Sequence, residues 1–374
     1  DRIMNKLKIA LVKQEVYQDL YVCPVTEKDP GQILFSSMGR VGPIALMSDL
    51  NADFYIVKEE SNKETRIYQK VIPHIAPYLH LLKTETLDKI PGQEFKSPGS
   101  PYPNGKYAVS CYTIDWGQYD IVISINISLP TQLILKYPQT LFAYMIGEAN
   151  MATGKARFGY DATLNQMARG RISHKCGAID FPYTFVAKDT LEKIMQQYLG
   201  RPSARKGIFM EINSTTERPV TRIPDHFQPL ADAGYEIILH QQKIADNLKN
   251  IYDAKYFVKM GGRSIRGNSV AEAVSLGTLA IMNRDEVIHH ELIIDECNVK
   301  TMDEMISLIN RLENDPELYR TLQQKQRQVL HTYFFDAPLQ SLINCLKEKR
   351  GLSKPRTYSR WNRLFDNLYF LKLR

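Results

Sequence analysis

Short apolar runs set off by polar residues recur from one end of the chain to the other. In the first half they are Lys8 to Val12, Phe54 to Val57, Tyr119 to Ile127 and Thr140 to Ile146, and their near-continuous apolar character predicts parallel strands covered on both faces. Ser36 to Gly42 leads into Pro43 to Leu50 with the serines, glycines and first-turn proline of a helix start. Ile67 to Leu82 has helical spacing interrupted by Pro73 and Pro77, and residues 91 to 106 are dense in turn formers and predict an exposed loop. Arg157 to Lys175 is polar and shows no assignable period. Asp180 to Phe185 predicts a short strand, and Asp189 to Leu199 a helix that stops at Gly200-Arg-Pro-Ser.

A fresh alternation follows that break. Gly207 to Ile212, Tyr235 to His240, Tyr256 to Met260 and Thr278 to Met282 predict strands; Asp225 to Ala233, Ile244 to Tyr252 and Asn268 to Leu276 predict the helices between them. Strands and helices alternating at this spacing imply βαβ units and a parallel sheet. Thr301 to Leu330 is helical, with Asn314-Asp-Pro316 dividing two helices. The pattern predicts an α/β protein of two Rossmann-like parallel-sheet domains facing a cleft. Residues 1–200 form the acceptor side, 201–345 the nucleotide side and 346–374 a basic amphipathic tail.

Composition bounds the picture without redirecting it. At 374 residues the chain has room for two cores, and 44% hydrophobic with 24% charged residues is an ordinary globular balance. Five scattered cysteines with no Cys-x-x-Cys pair suggest neither a disulfide framework nor a zinc site and fit a reducing cytoplasm. No apolar run approaches bilayer length. The net charge of +7 is concentrated in residues 347–374, where nine basic residues stand against Glu348 and Asp366. Trp361, Leu364, Phe365, Leu368 and Leu371 recur there at helical spacing, which predicts an amphipathic helix. Packing against the first domain, contact with an anionic membrane surface, and nucleic acid are its three readings, the last the least favoured.

Ligands of parallel sheets bind at the carboxyl ends of the strands. Here those positions hold Asn213-Ser-Thr215, His240, the loop Gly261 to Gly267, and Asn283. The loop runs from an apolar strand into a helix, carries Gly262, Arg263 and Arg266, and follows Lys259. Backbone N–H groups and guanidinium groups at a helix N-terminus seat a phosphate. No two glycines lie two apart, which excludes the dinucleotide fingerprint; Gly99 to Lys106 is one residue too long for a P-loop; no Asp-x-Asp, His-x-x-x-His or Gly-x-Ser-x-Gly is present. A phosphate site built from backbone, hydroxyls and cations remains, with no metal or other cofactor expected.

Gly267-Asn-Ser-Val-Ala-Glu-Ala-Val-Ser-Leu-Gly-Thr-Leu279 resembles the G-x-S-x-x-E-A-x-x-x-G-x-P pattern of the GT-B class of nucleotide-sugar glycosyltransferases. The resemblance implies that Glu272 holds the donor ribose while the loop, Asn268 and Ser269 hold the diphosphate. The chain differs where Thr278-Leu279 replaces a small residue and proline. It differs again where Ser264 stands in place of the first glutamate of the retaining members' pair, so stereochemistry stays open. Ser269 to Glu272 also reads as a capping box, which would give Glu272 a structural role.

Arg263, Arg266, Lys259, Asn268, Ser269, Glu272, Gly262, His240, Asn213 and Ser214 are the donor-binding candidates of the second half; Gly39 and Arg40 are those of the first. Glu148, after one strand, and Asp115, before another, are the candidate catalytic carboxylates. The leading expectation is a metal-independent glycosyltransferase moving a sugar from a nucleotide-sugar donor to a glycan or lipid-linked acceptor, cytoplasmic and peripheral at the inner face of the plasma membrane. A nucleotide-sugar 2-epimerase of the same architecture and a non-catalytic nucleotide or nucleic-acid binding protein are the alternatives.

Overall fold

The computed structural model describes residues 7–14, 23–24, 33–34, 52–57, 79–82, 110–125, 129, 131–146, 159–165, 179–181, 190–211, 220–241, 244–262, 264–265, 267–354 and 357. They divide between two compact units.

The first unit holds a seven-stranded parallel sheet. Its strands are β1 (Ile9–Gln14), β4 (Asp53–Val57), β5 (Leu79–Leu82), β6 (Ile121–Ile125), β7 (Leu141–Ile146), β8 (Ala162–Asn165) and β9 (Ile179–Asp180), in the order β5-β4-β1-β6-β7-β8-β9. Leu11 of the interior strand β1 stands opposite Phe54 on one side and Ile123 on the other. Buried Trp116, Val122, Leu133, Phe142 and Tyr144 belong to one core cluster. Helix α1 (Thr131–Leu135) supplies Leu133 and Ile134 to it. A two-stranded antiparallel pair, β2 (Cys23–Pro24) and β3 (Ile33–Leu34), lies outside both sheets.

At the amino ends of the first unit's strands, Tyr119 donates to Asp53 Oδ2 at 2.5 Å and shares a 2.5 Å hydrogen bond with Tyr55, while His80 Nε2 lies 3.0 Å from Asp53 Oδ1. Burial first, then these bonds, push the Tyr119 phenol far up. Helix α8 (Ala337–Arg350) also belongs to this unit. Its Lys349 ammonium bonds Asp161 at 2.7 Å and the Thr140 carbonyl at 2.6 Å, and Arg350 reaches Asp120 at 2.7 Å.

The second unit is built on four parallel strands, β10 (Ile208–Met210), β11 (Ile237–Ile238), β12 (Tyr256–Lys259) and β13 (Leu279–Met282), in the order β11-β10-β12-β13. Every residue of β10, β12 and β13 is buried, which is why they read as unbroken apolar runs. The helices are α2 (Thr190–Leu199), α3 (Gln228–Asp232), α4 (Ile244–Asp253), α5 (Asn268–Ser275), α6 (Met302–Asn314) and α7 (Pro316–His331). The break between α6 and α7 falls where Asp315 accepts from the Leu318 N–H at 3.0 Å and Pro316 opens the second helix.

Two parallel α/β sheets are therefore present, as the strand spacing predicts. Several local readings change. Leu79 to Leu82 is a strand rather than the end of a helix: pairing along β4 overrides the spacing that Pro73 and Pro77 had already interrupted. Ala162 to Asn165, inside the polar stretch without a period, is β8. Residues 337–350 form a helix that follows the predicted helical pair and takes in the first residues of the tail expected from residue 346. The helix start at Pro43 and the amphipathic segment from Trp361 lie outside the described residues.

Candidate functional site

In the second unit the sheet order reverses between β10 and β12, and the loop that follows β12 leaves the carboxyl end of the strand at that reversal. Such a switch point opens a crevice, because the two neighbouring connections leave the sheet toward opposite faces. Glu211 follows β10 there, buried, with its N–H donated to Val258 O at 2.9 Å. Gly261 and Gly262 take φ values of 72° and 75°, turning the chain away from the strand. Gly267 (φ 106°, ψ 15°) is the N-cap of α5, and its carbonyl accepts from the Ala271 N–H at 2.9 Å.

That cap position decides the reading of Glu272. The helix begins at Asn268, so Ser269 lies in its first turn and not at the N-cap position that the capping box expected from Ser269 and Glu272 requires. The left-handed turn at Gly267 starts the helix earlier than a serine cap would. Glu272 is half-buried one turn farther on.

Lys259 ends β12 fully buried. Its ammonium donates to Gly261 O at 2.8 Å and to Glu286 Oε2 at 2.6 Å, while Glu286 Oε1 accepts from the Gly261 N–H at 2.9 Å. Removing one partner from such a buried pair costs about 3–5 kcal/mol, because the other charge stays desolvated. Beyond the carboxylate, Glu286 O accepts from the Ile265 N–H at 2.9 Å and from Ser264 Oγ at 3.2 Å, and Ile288 donates to Ile265 O at 2.8 Å.

His226 stands in a short 3-10 turn, Asp225–Phe227, anchored by buried Phe227. Partial burial pushes its imidazole down, Asp225 and Glu286 pull it up, and Lys259 pushes it down again; the net direction is down. His240 follows β11. Its ring lies 6.0 Å from that of Phe209 and 3.3 Å from the side-chain nitrogen of Asn247, which also brackets Gln241 through its N–H (2.6 Å) and carbonyl (2.7 Å).

The structure thus brings together, at the carboxyl end of one sheet, Lys259, Gly262, the start of α5 with Asn268 and Ser269, and Glu272; His240 lies at the same edge after β11. Asp115 accepts from the Gly117 N–H at 3.0 Å and caps the turn Trp116–Gln118 in the first unit. Arg263, Arg266, Asn213, Ser214, Gly39, Arg40 and Glu148 lie outside the described residues. Glu286, His226 and Asn247 were not found by sequence reasoning. Glu286 carried one usable signal, its place just past the end of an apolar strand.

The chain matches no family model and no curated protein. Among solved structures it is similar to T4 phage β-glucosyltransferase, at 11% identity over 92% of this chain and 100% of that one, TM-score 0.40. Sucrose-phosphate synthase from Thermosynechococcus elongatus is similar at 14% identity, 91% and 99% coverage, TM-score 0.43. A UDP-N-acetylglucosamine 2-epimerase is similar at 10% identity, 95% and 100% coverage, TM-score 0.42. Glycosyltransferases and an epimerase thus stand among the similar structures; the functional reading rests on the residues of the loop.

Proposed function

We propose that the second unit binds a nucleotide-sugar donor and that the protein is a metal-independent glycosyltransferase acting on a glycan or lipid-linked acceptor. The observation that carries the reading is the start of α5. It lies at the switch point of a parallel sheet, and its N-cap is a glycine, which has no side chain to accept from the first-turn N–H groups. Those groups, the positive end of the helix dipole, and the guanidinium groups of Arg263 and Arg266 suit the charge that grows on a departing nucleoside diphosphate. Glu272 takes the ribose role that the resemblance implies. Glu148 is the proposed base, with Asp115 the second candidate.

Contact of segment 347–374 with an anionic membrane surface belongs to the proposal with Lys349 and Arg350 subtracted from its charge, since both are paired within the first unit. Among the described residues no helix is long and apolar enough to cross a membrane. A thermal-shift panel of UDP, GDP, CMP and dTDP tests the donor site: one selective response is expected, lost in Arg263→Ala and in Glu272→Ala. No response to any nucleotide would sink the site, and a response that survives both changes would move it elsewhere. Release of free nucleotide from the sugar donor favours a transferase; interconversion of the sugar without release favours an epimerase.

A further inference from the structure

Three anchors from one short segment after β13 hold the phosphate loop. At the loop's start, the Glu286 carboxylate takes the Gly261 N–H and the Lys259 ammonium. In its middle, the backbone from Glu286 to Ile288 pairs with Ile265, a parallel bridge opposite Val287. At its end, Val287 packs so close to Gly267 that a Cβ there would lie 2.9 Å from Val287 Cγ1. The described residues of the loop, Gly261, Ser264, Ile265 and Gly267, are therefore held by residues 286–288, and the side chain that ties the first turn is a carboxylate.

Lys259 belongs to this arrangement. A buried ammonium needs a counter-charge and acceptors, and it has both within the protein: the Glu286 carboxylate and the Gly261 carbonyl. A phosphate would have to displace Glu286 from an enclosed position to gain that cation. The cheaper arrangement leaves Lys259 to Glu286 and the ligand to the exposed rim of the loop, where Gly262 and Ser264 face solvent.

We infer that Glu286 is a positioning residue, paired with Lys259 to preset the glycine-arginine loop, and that Lys259 shapes the phosphate seat without contacting the phosphate. The inference rests on the proposed donor site for its functional meaning, but its structural half stands alone. Ser264, Ile265 and Gly267 are held by these anchors, and Ser264 and Gly267 each supply one side of a bond that trypsin cuts, after Arg263 and after Arg266, so cutting there in the ligand-free protein reports the preset.

The variants are Glu286→Ala, Glu286→Gln and the double change Lys259→Met with Glu286→Gln, each checked for retained folding by near-ultraviolet circular dichroism. Glu286→Ala is expected to speed cutting at those two bonds by about tenfold or more, with cutting after Arg311 and Lys325 unchanged. Glu286→Gln keeps an acceptor for Gly261 but strands the lysine charge, so it falls between. The double variant, with no stranded charge and the acceptor kept, is expected to cut more slowly than Glu286→Gln alone. Calorimetric binding of UDP and of uridine supplies the functional half: the variants weaken UDP by about tenfold and leave uridine within about twofold.

Equal cutting of the wild type and Glu286→Ala, both folded, overturns the positioning role. So does a double variant that is cut as fast as Glu286→Gln alone. Loosened loops together with a wild type that binds no nucleotide keep the positioning role and defeat the donor-site reading, so the two failures are distinguishable.

Discussion

At Gly267 the backbone lies in a region that residues with a Cβ enter only under strain, and Val287 fills the space a Cβ would need. Gly267→Ala is expected to lower stability by about 1–3 kcal/mol, read from the denaturant midpoint, because the strained conformation and the contact act together. His226 gives a second residue-scale expectation. Its imidazole is held below the ordinary 6.5, so as pH falls through that value the unfolded chain takes up a proton before the folded one does. The stability His226 contributes is complete above that value and declines below it. Melting temperatures measured from about pH 8 to about pH 5 should fall less steeply in His226→Asn than in the wild type. Cys297 is buried and its thiol is pushed up to about 12 by burial, so a thiol reagent should leave it unmodified until the protein unfolds, as peptide mass spectrometry would show.

Among elements, β13 ends the second sheet, and α7 supplies what another strand would have given it. The buried Gln326 amide accepts from the Ala280 N–H at 2.8 Å and donates to the Ala280 and Leu292 carbonyls at 3.0 Å each. Gln326→Leu leaves those backbone groups buried without partners and is expected to cost about 3 kcal/mol, with faster hydrogen exchange at the Ala280 amide. Next to it on the same helix, Arg327 pairs with Glu192 of α2, which also binds Arg205 at 2.9 Å. Arg205 reaches the Leu276 carbonyl at 2.6 Å and Thr278 Oγ1 at 3.2 Å. Thr278, one of the two departures from the glycosyltransferase pattern, donates to Ile251 O at 2.6 Å and fastens α4 to the start of β13.

What was legible follows from burial. Strands covered on both faces, such as β12 and β13, must be apolar throughout and announce themselves, and the loop between β12 and α5 declares its turns by its glycines. By contrast, β8 reads Ala-Thr-Leu-Asn and is set by its place beside β7, and β5 exists because β4 pairs with it. Glu286 acts through partners 25 and 27 residues away, Gly261 and Lys259, a relation that no local spacing encodes.

On the scale of the whole molecule, each unit has its own sheet and its own core. Lys349 and Asp161 are nearly buried in the first, at 12% and 5% side-chain exposure. Lys349→Met is expected to destabilise that unit by about 3 kcal/mol, through the stranded Asp161 carboxylate. Hydrogen exchange should then quicken in β7 and β8 while β10, β12 and β13 keep their protection. The position of α8 also fixes an order of events during synthesis. The second unit's described helices and strands from α2 onward are complete before α8 is made, whereas the first unit must wait for α8 although its sheet is translated earlier. Domains tend to close as soon as their residues are available. A nascent chain stalled just after Asp336 has cleared the ribosome should therefore show a protease-resistant second unit while β7 and β8 are still cut, with the amino-terminal sheet the last to mature.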